Sequence, residues 1–343
     1  LEAFRAGVTT VGDASTNGVI TARILRESGL RGTVFQESFG PDPRVARERV
    51  AQLRETLSQM REFATPLVTV GASPHAPYSV SAPQLELIAE LALADGVPLM
   101  MHAGESKDET HFMQRGAGRF ADGLRRRAID WEVAGVSTIA HLERTGILLT
   151  KPLLAHCITV SDDDIQMIKG AGARIAHCPK SNAKLGHGTA PLASFTGRGI
   201  PVGLGSDSVA SNNLCDLFEE GRFALLQSRS REIGTDRAGV IDAAVILNIM
   251  TLGGARALGM GDQVGSLEPG KQADVAVVSL NGAHQQPVYD PQLALVFASH
   301  ASDVSMTMIA GEEVFRTGQF TTLDHHELEM RLADVRRRLS TSS

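Results

Sequence analysis

Apolar residues along this chain alternate between two rhythms. Short runs rich in β-branched and aliphatic residues stand at 9–12, 32–35, 67–71, 98–101, 153–155, 174–176 and 201–205. Longer stretches between them carry apolar positions at helical spacing. In 43–63, for example, Val50, Leu53, Leu57 and Met60 fall on one face. The punctuation agrees with this division. Ser81 reads as the cap of a helix with Pro83 in its first turn, and Gly96 follows its end. Ser161 followed by Asp164 reads as a capping box, with Gly170 and Gly172 closing the helix. Strand, helix and strand repeated in this way predict an α/β fold around a parallel sheet, either open and doubly wound or closed into a barrel.

A (β/α)8 TIM-type barrel needs eight strands, and the pattern predicts one fewer. The first seven residues read as the tail of a helix feeding the first predicted strand. The barrel reading therefore expects a barrel lacking its first strand, whereas an open sheet would be missing nothing. Past residue 258 the rhythm changes. Gly265-Ser-Leu-Glu-Pro-Gly-Lys271 is turn-rich, and short strands are predicted at 273–280, 293–299, 304–309 and 313–316. The last two are joined by a hairpin turn at Ala310-Gly311-Glu312. A charged helix over 324–339 precedes an end expected to fray at 340–343. Residues 1–258 are assigned to the barrel, and 259–343 to the C-terminal portion of a small β-sandwich with a terminal helix.

Composition narrows the partners. With 39 acidic and 33 basic residues the formal charge is -6, which argues against a nucleic acid or a membrane surface, since both select a basic face. No apolar run reaches the roughly 18 residues of a membrane span. Three cysteines, Cys157, Cys178 and Cys215, are odd in number and far apart. They predict neither a disulfide framework nor a cysteine-rich zinc site, and the expected compartment is the cytoplasm.

The candidate chemistry lies where apolar strands stop. Met100-Met101-His102, Leu154-Ala155-His156, Ile175-Ala176-His177 and Gly205-Ser206-Asp207 each end on a side chain able to bind a metal. In a barrel all strand C-termini meet at one mouth, where the active sites of that fold lie. A single histidine at a strand end is more often a satisfied structural residue. Three histidines and an aspartate on four successive strands point to a site. Imidazoles and a carboxylate suit Zn²⁺ or a similar ion with a position left for water, whose pKa the ion lowers towards about 7. Glu105, three residues past His102, is placed to hold and deliver a proton beside the ion, or else is a solvated loop carboxylate. Cys157 is set aside as a nucleophile because neighbouring strand residues point to opposite faces.

These segments together carry a resemblance. His102-Ala-Gly-Glu105, Leu154-Ala-His156-Cys, Ala176-His177-Cys-Pro-Lys-Ser181-Asn182 and Gly205-Ser-Asp207 resemble the amidohydrolase superfamily. Its branch of methylthioadenosine/S-adenosylhomocysteine deaminases and chlorohydrolases is the most similar. Pro74-His75-Ala-Pro-Tyr-Ser79 and Gly265-Ser-Leu-Glu-Pro-Gly-Lys-Gln-Ala-Asp274 fit the same branch. The resemblance implies a metal-dependent aminohydrolase acting on an amino-substituted N-heterocycle, an adenine-type nucleoside being favoured. A chlorohydrolase on a triazine-like ring and a non-catalytic relative are the alternatives.

By that resemblance His102 and Asp207 would bind the metal, zinc first with iron or manganese open. Asp207 would also take a proton from the water, Glu105 would protonate the ring nitrogen, and His156 would hold the water or substrate. His75 would contact the substrate. Ser211 would line the pocket or else start a helix. His177, Ser181 and Asn182 would shape the site. The resemblance leaves a homodimer open. The family's His-x-His from strand one is absent from this sequence, so the chain as given is expected to be a weak catalyst or none. Arg119, Arg125, Arg126 and Arg127 could meet an acidic substrate group, but a solvated helix face is the plainer reading. His187, between two glycines, is near the pocket or in a loop, and His111 and His141 are expected on the surface.

Overall fold

In the computed structural model, which describes residues 1–231 and 241–340, seven parallel strands follow one another in chain order. They are β1 (Thr10–Ser15), β2 (Arg31–Ser38), β3 (Val68–Pro74), β4 (Met100–Ala103), β5 (Leu153–His156), β6 (Arg174–His177) and β7 (Val202–Leu204). Strands β1 to β3 form one hydrogen-bonded set and β4 to β7 another. A parallel bridge between Ala72 and Leu99 joins the two sets. Neighbours in sequence are thus neighbours in space throughout, as in a barrel. A doubly wound sheet would reverse its order partway. No pairing joins β1 to β7 among the described residues.

Alternation along the strands separates two apolar layers. Val34, Met101, Leu154 and Ile175 face the helices in the large core. Phe35, Met100, Leu153 and Ala155 pack in a smaller cluster with Ala14, Ala176 and Leu258. Gly71 leaves room for this inner cluster, since a Cβ there would lie 2.5 Å from the Phe35 ring. Glu37 follows Phe35 by two residues and His102 follows Met100 by two. Both therefore share the inner face and emerge at the strands' C-terminal ends.

The helix predicted over 43–63 forms as Ala46–Arg61 and buries Val50, Leu53, Leu57 and Met60 as expected. The Ser161–Asp164 capping box is present on Asp162–Ala171, and Gly172 closes that helix in the left-handed region. Ser81 occupies the cap position of Ala82–Asp95, but its hydroxyl makes no capping bond. Pro83 and Gly96 alone mark that helix's two ends.

Beyond the barrel an antiparallel sheet is ordered β11-β10-β9-β8, from β8 (Val275–Val278), β9 (Val304–Ile309), β10 (Glu312–Arg316) and β11 (Gln319–Phe320). Ala310 and Gly311, at φ 52° and 87°, make the tight turn expected between β9 and β10. The run at 293–299 is a correction: it is helical, within Pro291–Phe297. Asp290 accepts from the Gln292 and Leu293 amides and Pro291 fills the first turn. A short apolar run cannot itself distinguish strand from helix, and here the cap decides.

The sheet's core includes Phe4 from the first helix and Phe218 beside Val304, Ile309, Val314 and Phe315. Asp274 is tied to the start of β2 by Arg31, with Nε 3.0 Å and Nη2 2.8 Å from its carboxylate. The terminal helix runs His325–Ser340, and of the end expected to fray, 341–343 lie outside the described residues. No helix among the described residues is long and apolar enough to cross a membrane.

Candidate active site

The strand ends do converge. The His102 ring stacks at 5.5 Å from the His156 ring and lies 4.8 Å from His75. Glu105 brings Oε1 to 3.8 Å from His156 Nε2 and 3.7 Å from His187 Nε2. His187 is thus at the pocket. Asp207 stands at the exposed rim, close enough for His156 to shift its titration.

Hydrogen bonds assign the imidazole tautomers. His102 Nδ1 lies 2.8 Å from the His75 carbonyl oxygen, which only accepts. Nδ1 therefore carries the proton, and Nε2 keeps its lone pair. His75 Nδ1 lies 2.7 Å from Ser79 Oγ, whose own proton goes to the Ala76 carbonyl. His75 Nδ1 accordingly donates, again leaving Nε2 as the acceptor. Burial, helped by the neighbouring His102, pulls the His75 pKa down to about 4, so the ring is neutral at pH 7. His156 is 2% exposed and pairs Nδ1 with Asn182 Oδ1 at 2.8 Å, which turns Nε2 toward Glu105.

Two loops carry the acidic groups, and a buried glutamate holds each. Glu109 accepts from the Gly104 and Glu105 amides, both at 2.8 Å, and from the Thr138 hydroxyl at 2.7 Å. Burial raises its pKa against those bonds. It fixes the turn that presents Glu105. Glu220 accepts from Asn212 Nδ2 and the Lys180 amide, and burial pushes it up to about 7. It thereby ties the loop that follows β7 to the helix Pro179–Lys184, which supplies Ser181 and Asn182.

Asp207 accepts from the Ser181 hydroxyl and from the Ser208 amide, the latter at 2.6 Å. Partial desolvation raises its pKa, but the Ser181 bond, the neighbouring His156 ring and the Ser208 amide outweigh it and hold the carboxyl below its usual value. Ser211 is buried in a turn, its hydroxyl donating to the Ser208 carbonyl at 3.2 Å, and it starts no helix.

Sequence reasoning overlooked Glu37, Glu109 and Glu220. Glu37 obeys the same strand-end rule as His102 and was hidden because β2 runs three residues past the predicted end. Glu37, His75 and His102 each bring a ligand atom within 4.8 Å of the other two. Glu109 and Glu220 lie inside helices, where no spacing marks them. His111 is exposed as expected, whereas His141 is half-buried and its pKa is lowered by burial. Cys157 is fully buried, and desolvation drives its thiol far above the usual range, so it is inert.

A cavity of about 570 Å³ opens beside these groups. Glu37, Phe39, Tyr78 and Ser79 form one side, and Arg49, Arg119 and Arg127 another. Tyr78 stacks on Phe120 at 3.9 Å, and Arg119 lies over the Phe120 ring while paired with Asp108. The segment that follows Glu105 is mainly two helices, Lys107–Arg115 and Arg119–Arg126.

The mouth offers two donors of the kind a divalent ion selects, His102 and Asp207, one fewer than the three protein ligands of a catalytic zinc site. His102 presents an unprotonated nitrogen held by a second-sphere carbonyl, the arrangement that orients metal-bound histidines. Asp207 is anionic and accessible.

The amidohydrolase family model matches residues 1–314. The chain is 31% identical over 344 residues to a 5-methylthioadenosine/S-adenosylhomocysteine deaminase of Teredinibacter turnerae, covering 98% of this chain and 72% of that protein. It is 32% identical to the protein of the same name from Syntrophobacter fumaroxidans, with the same coverage. The structure of an adenosine deaminase from Xanthomonas campestris with bound zinc superposes with a TM-score of 0.83 at 28% identity, over 98% of this chain and 72% of that one. An atrazine chlorohydrolase from Arthrobacter aurescens, complexed with zinc, shares the fold at a TM-score of 0.79 and 23% identity, over 96% and 73%. The family match extends from the first residue into β10, and by it the chain belongs to the amidohydrolase family.

Proposed function

We propose that the mouth is the active site of a metal-dependent aminohydrolase that releases ammonia from an adenine-type nucleoside. The observation that carries this reading is the convergence of Glu105, His156 and Asp207, an acid–base set with no use in a binding module. The deaminase names of the relatives and the bound zinc in the adenosine deaminase structure favour the same chemistry.

His102 Nε2 and the Asp207 carboxylate would hold the metal, with zinc as the first choice. An ion held there would lower the pKa of water and stabilise negative charge on its oxygen. Asp207 takes a proton from water and passes it to the departing amino group, which leaves as ammonia. Its depressed pKa keeps it ionised and ready at neutral pH. Glu105 delivers a proton to the ring nitrogen beside the attacked carbon. His156 Nε2, turned toward Glu105, orients the water, its tautomer set by Asn182. His75, neutral with Nε2 as an acceptor, receives a donor from the substrate, and Glu37 accepts from sugar hydroxyls. The cavity beyond Glu37 takes the sugar and its substituent, with Ser211 supporting Asp207 from behind.

The test is ammonia release from adenosine and 5′-substituted adenosines with zinc added, alongside chloride release from a chlorotriazine. The expected result is slow ammonia release from the purines, as suits an ion held without the family's His-x-His, and a further fall of roughly 10³-fold in Asp207→Asn, with an unchanged unfolding temperature. Chloride release without ammonia, or wild-type-like turnover in Asp207→Asn, would overturn the assignment.

A further inference from the structure

A second group of metal-capable side chains lies apart from the residues of the mouth, in loops beside the C-terminal sheet. His284 sits in the loop between β8 and the helix Pro291–Phe297, while His300 and Asp303 flank the short turn that leads into β9. His284 Nε2 is 3.1 Å from Asp303 Oδ2, and His300 Nδ1 is 3.6 Å from the same oxygen. One ligand atom from each residue lies within 4.8 Å of the other two. For tetrahedral zinc with bonds of about 2.0–2.1 Å, ligand atoms stand about 3.3 Å apart. Both measured edges bracket that value.

We propose that His284, His300 and Asp303 form a separate surface site for zinc or a similar borderline divalent ion, with water completing the shell. Two imidazoles and one carboxylate are the donor set such ions select over calcium or magnesium. Asp303 is prepared as an anion. Partial desolvation works against it, but bonds from His284 and the His300 amide hold its carboxyl below the usual range. The His300 ring accepts from the Asp303 amide, so its inward nitrogen is unprotonated, and the ion would take that lone pair in place of the amide. At His284 the Nε2 proton passes through solvent to Nδ1, which frees Nε2 for the ion. Both rings are about half exposed, so entry is open.

The ion would clip the 281–289 loop to a turn that is itself anchored to the barrel. Arg222 donates to the Ser299 carbonyl, and Asp216 accepts from the Ala301 amide. The site therefore acts as a staple between loop and barrel, and its assignment rests on no reading of the mouth.

The test is zinc titration by calorimetry into chelator-treated protein carrying His102→Ala and Asp207→Asn, which silence the mouth. One zinc per chain is expected, with a zinc-dependent rise in unfolding temperature. Adding His284→Ala or His300→Ala should weaken binding on the order of tenfold or more, and lowering the pH to 5 should abolish it as the imidazoles protonate. These are exposed positions, so folding is not at stake. No zinc uptake in the mouth-silenced protein, or unchanged uptake after both histidines are replaced, would overturn the site.

Discussion

At the foot of the barrel Arg31 and Asp274 are only 1% and 2% exposed, and they are paired with each other. The guanidinium meets Asp274 through two nitrogens and Gln272 through Nη2 at 2.7 Å, and the Ala310 amide adds a further bond to the carboxylate at 2.8 Å. At the mouth the buried polar groups are left partly unspent. His177 Nδ1 and Asn182 Nδ2 have no hydrogen-bond partner among the described residues, and burial with a nearby His156 drives His177 down to about 3. Backbone strain gathers there too, with His156, Cys157 and Asp207 at φ 71°, 47° and 58°. One end spends its polar groups on holding the chain together. The other keeps them available for a ligand, at a cost in stability that the foot and core must offset.

The largest effect should come from breaking the saturated end. Asp274→Ala leaves the Arg31 charge buried and unpaired, which costs about 3–5 kcal/mol. Replacing both, as Arg31→Met with Asp274→Leu, should recover most of that loss, because the penalty lies in the orphaned charge. Denaturant unfolding of the two variants measures this, and KM of whatever folded fraction remains should not move. An Asp274→Ala loss below about 1 kcal/mol would mean the foot is not saturated in the way described.

This contrast also explains what was legible in the sequence. Strands that end on His102, His156, His177 and Asp207 announce themselves because a polar side chain breaks an apolar run at a fixed place. Seven of the seven expected parallel strands form for the same reason. The foot gave no such signal: Arg31 and Asp274 are 243 residues apart and nothing local connects them. Glu109 and Glu220 were equally silent, because a helix tolerates glutamate at any position and burial is decided by what packs across from it. The strand expected at 293–299 failed where a capping aspartate outweighed apolar content, a competition that composition alone does not settle. Glu37 was within reach and was lost by ending β2 too early.

A smaller effect tests whether the mouth's buried acids carry a stability cost. The folded pKa of Glu220 is raised from 4.5 to about 7, so the native state binds more protons than the unfolded state between those values. Stability therefore falls as pH rises through that window, by an amount on the order of 3 kcal/mol at most, and is flat above it. Glu220→Gln should remove this slope and match or exceed the parent at pH 8. Unfolding free energies from pH 4.5 to 8 decide the matter, and a parent already flat across the window would show that Glu220 is ionised throughout.

The smallest effect sharpens the other half of the comparison, the claim that mouth groups are held for chemistry. Asn182 touches His156 and contributes little else, since its own amide nitrogen has no partner. Asn182→Ala should therefore change unfolding temperature little while releasing the His156 tautomer. Once Nδ1–H is no longer anchored, a fraction of the rings place the proton on Nε2, facing Glu105 with a donor where an acceptor belongs. The expected loss is about tenfold in kcat with KM nearly constant. Asn182→Asp, which keeps an acceptor at that atom, should restore most of it and shift the pH profile upward by stabilising the charged imidazole. Equal losses in both variants would make Asn182 a packing residue and remove the tautomer from the account.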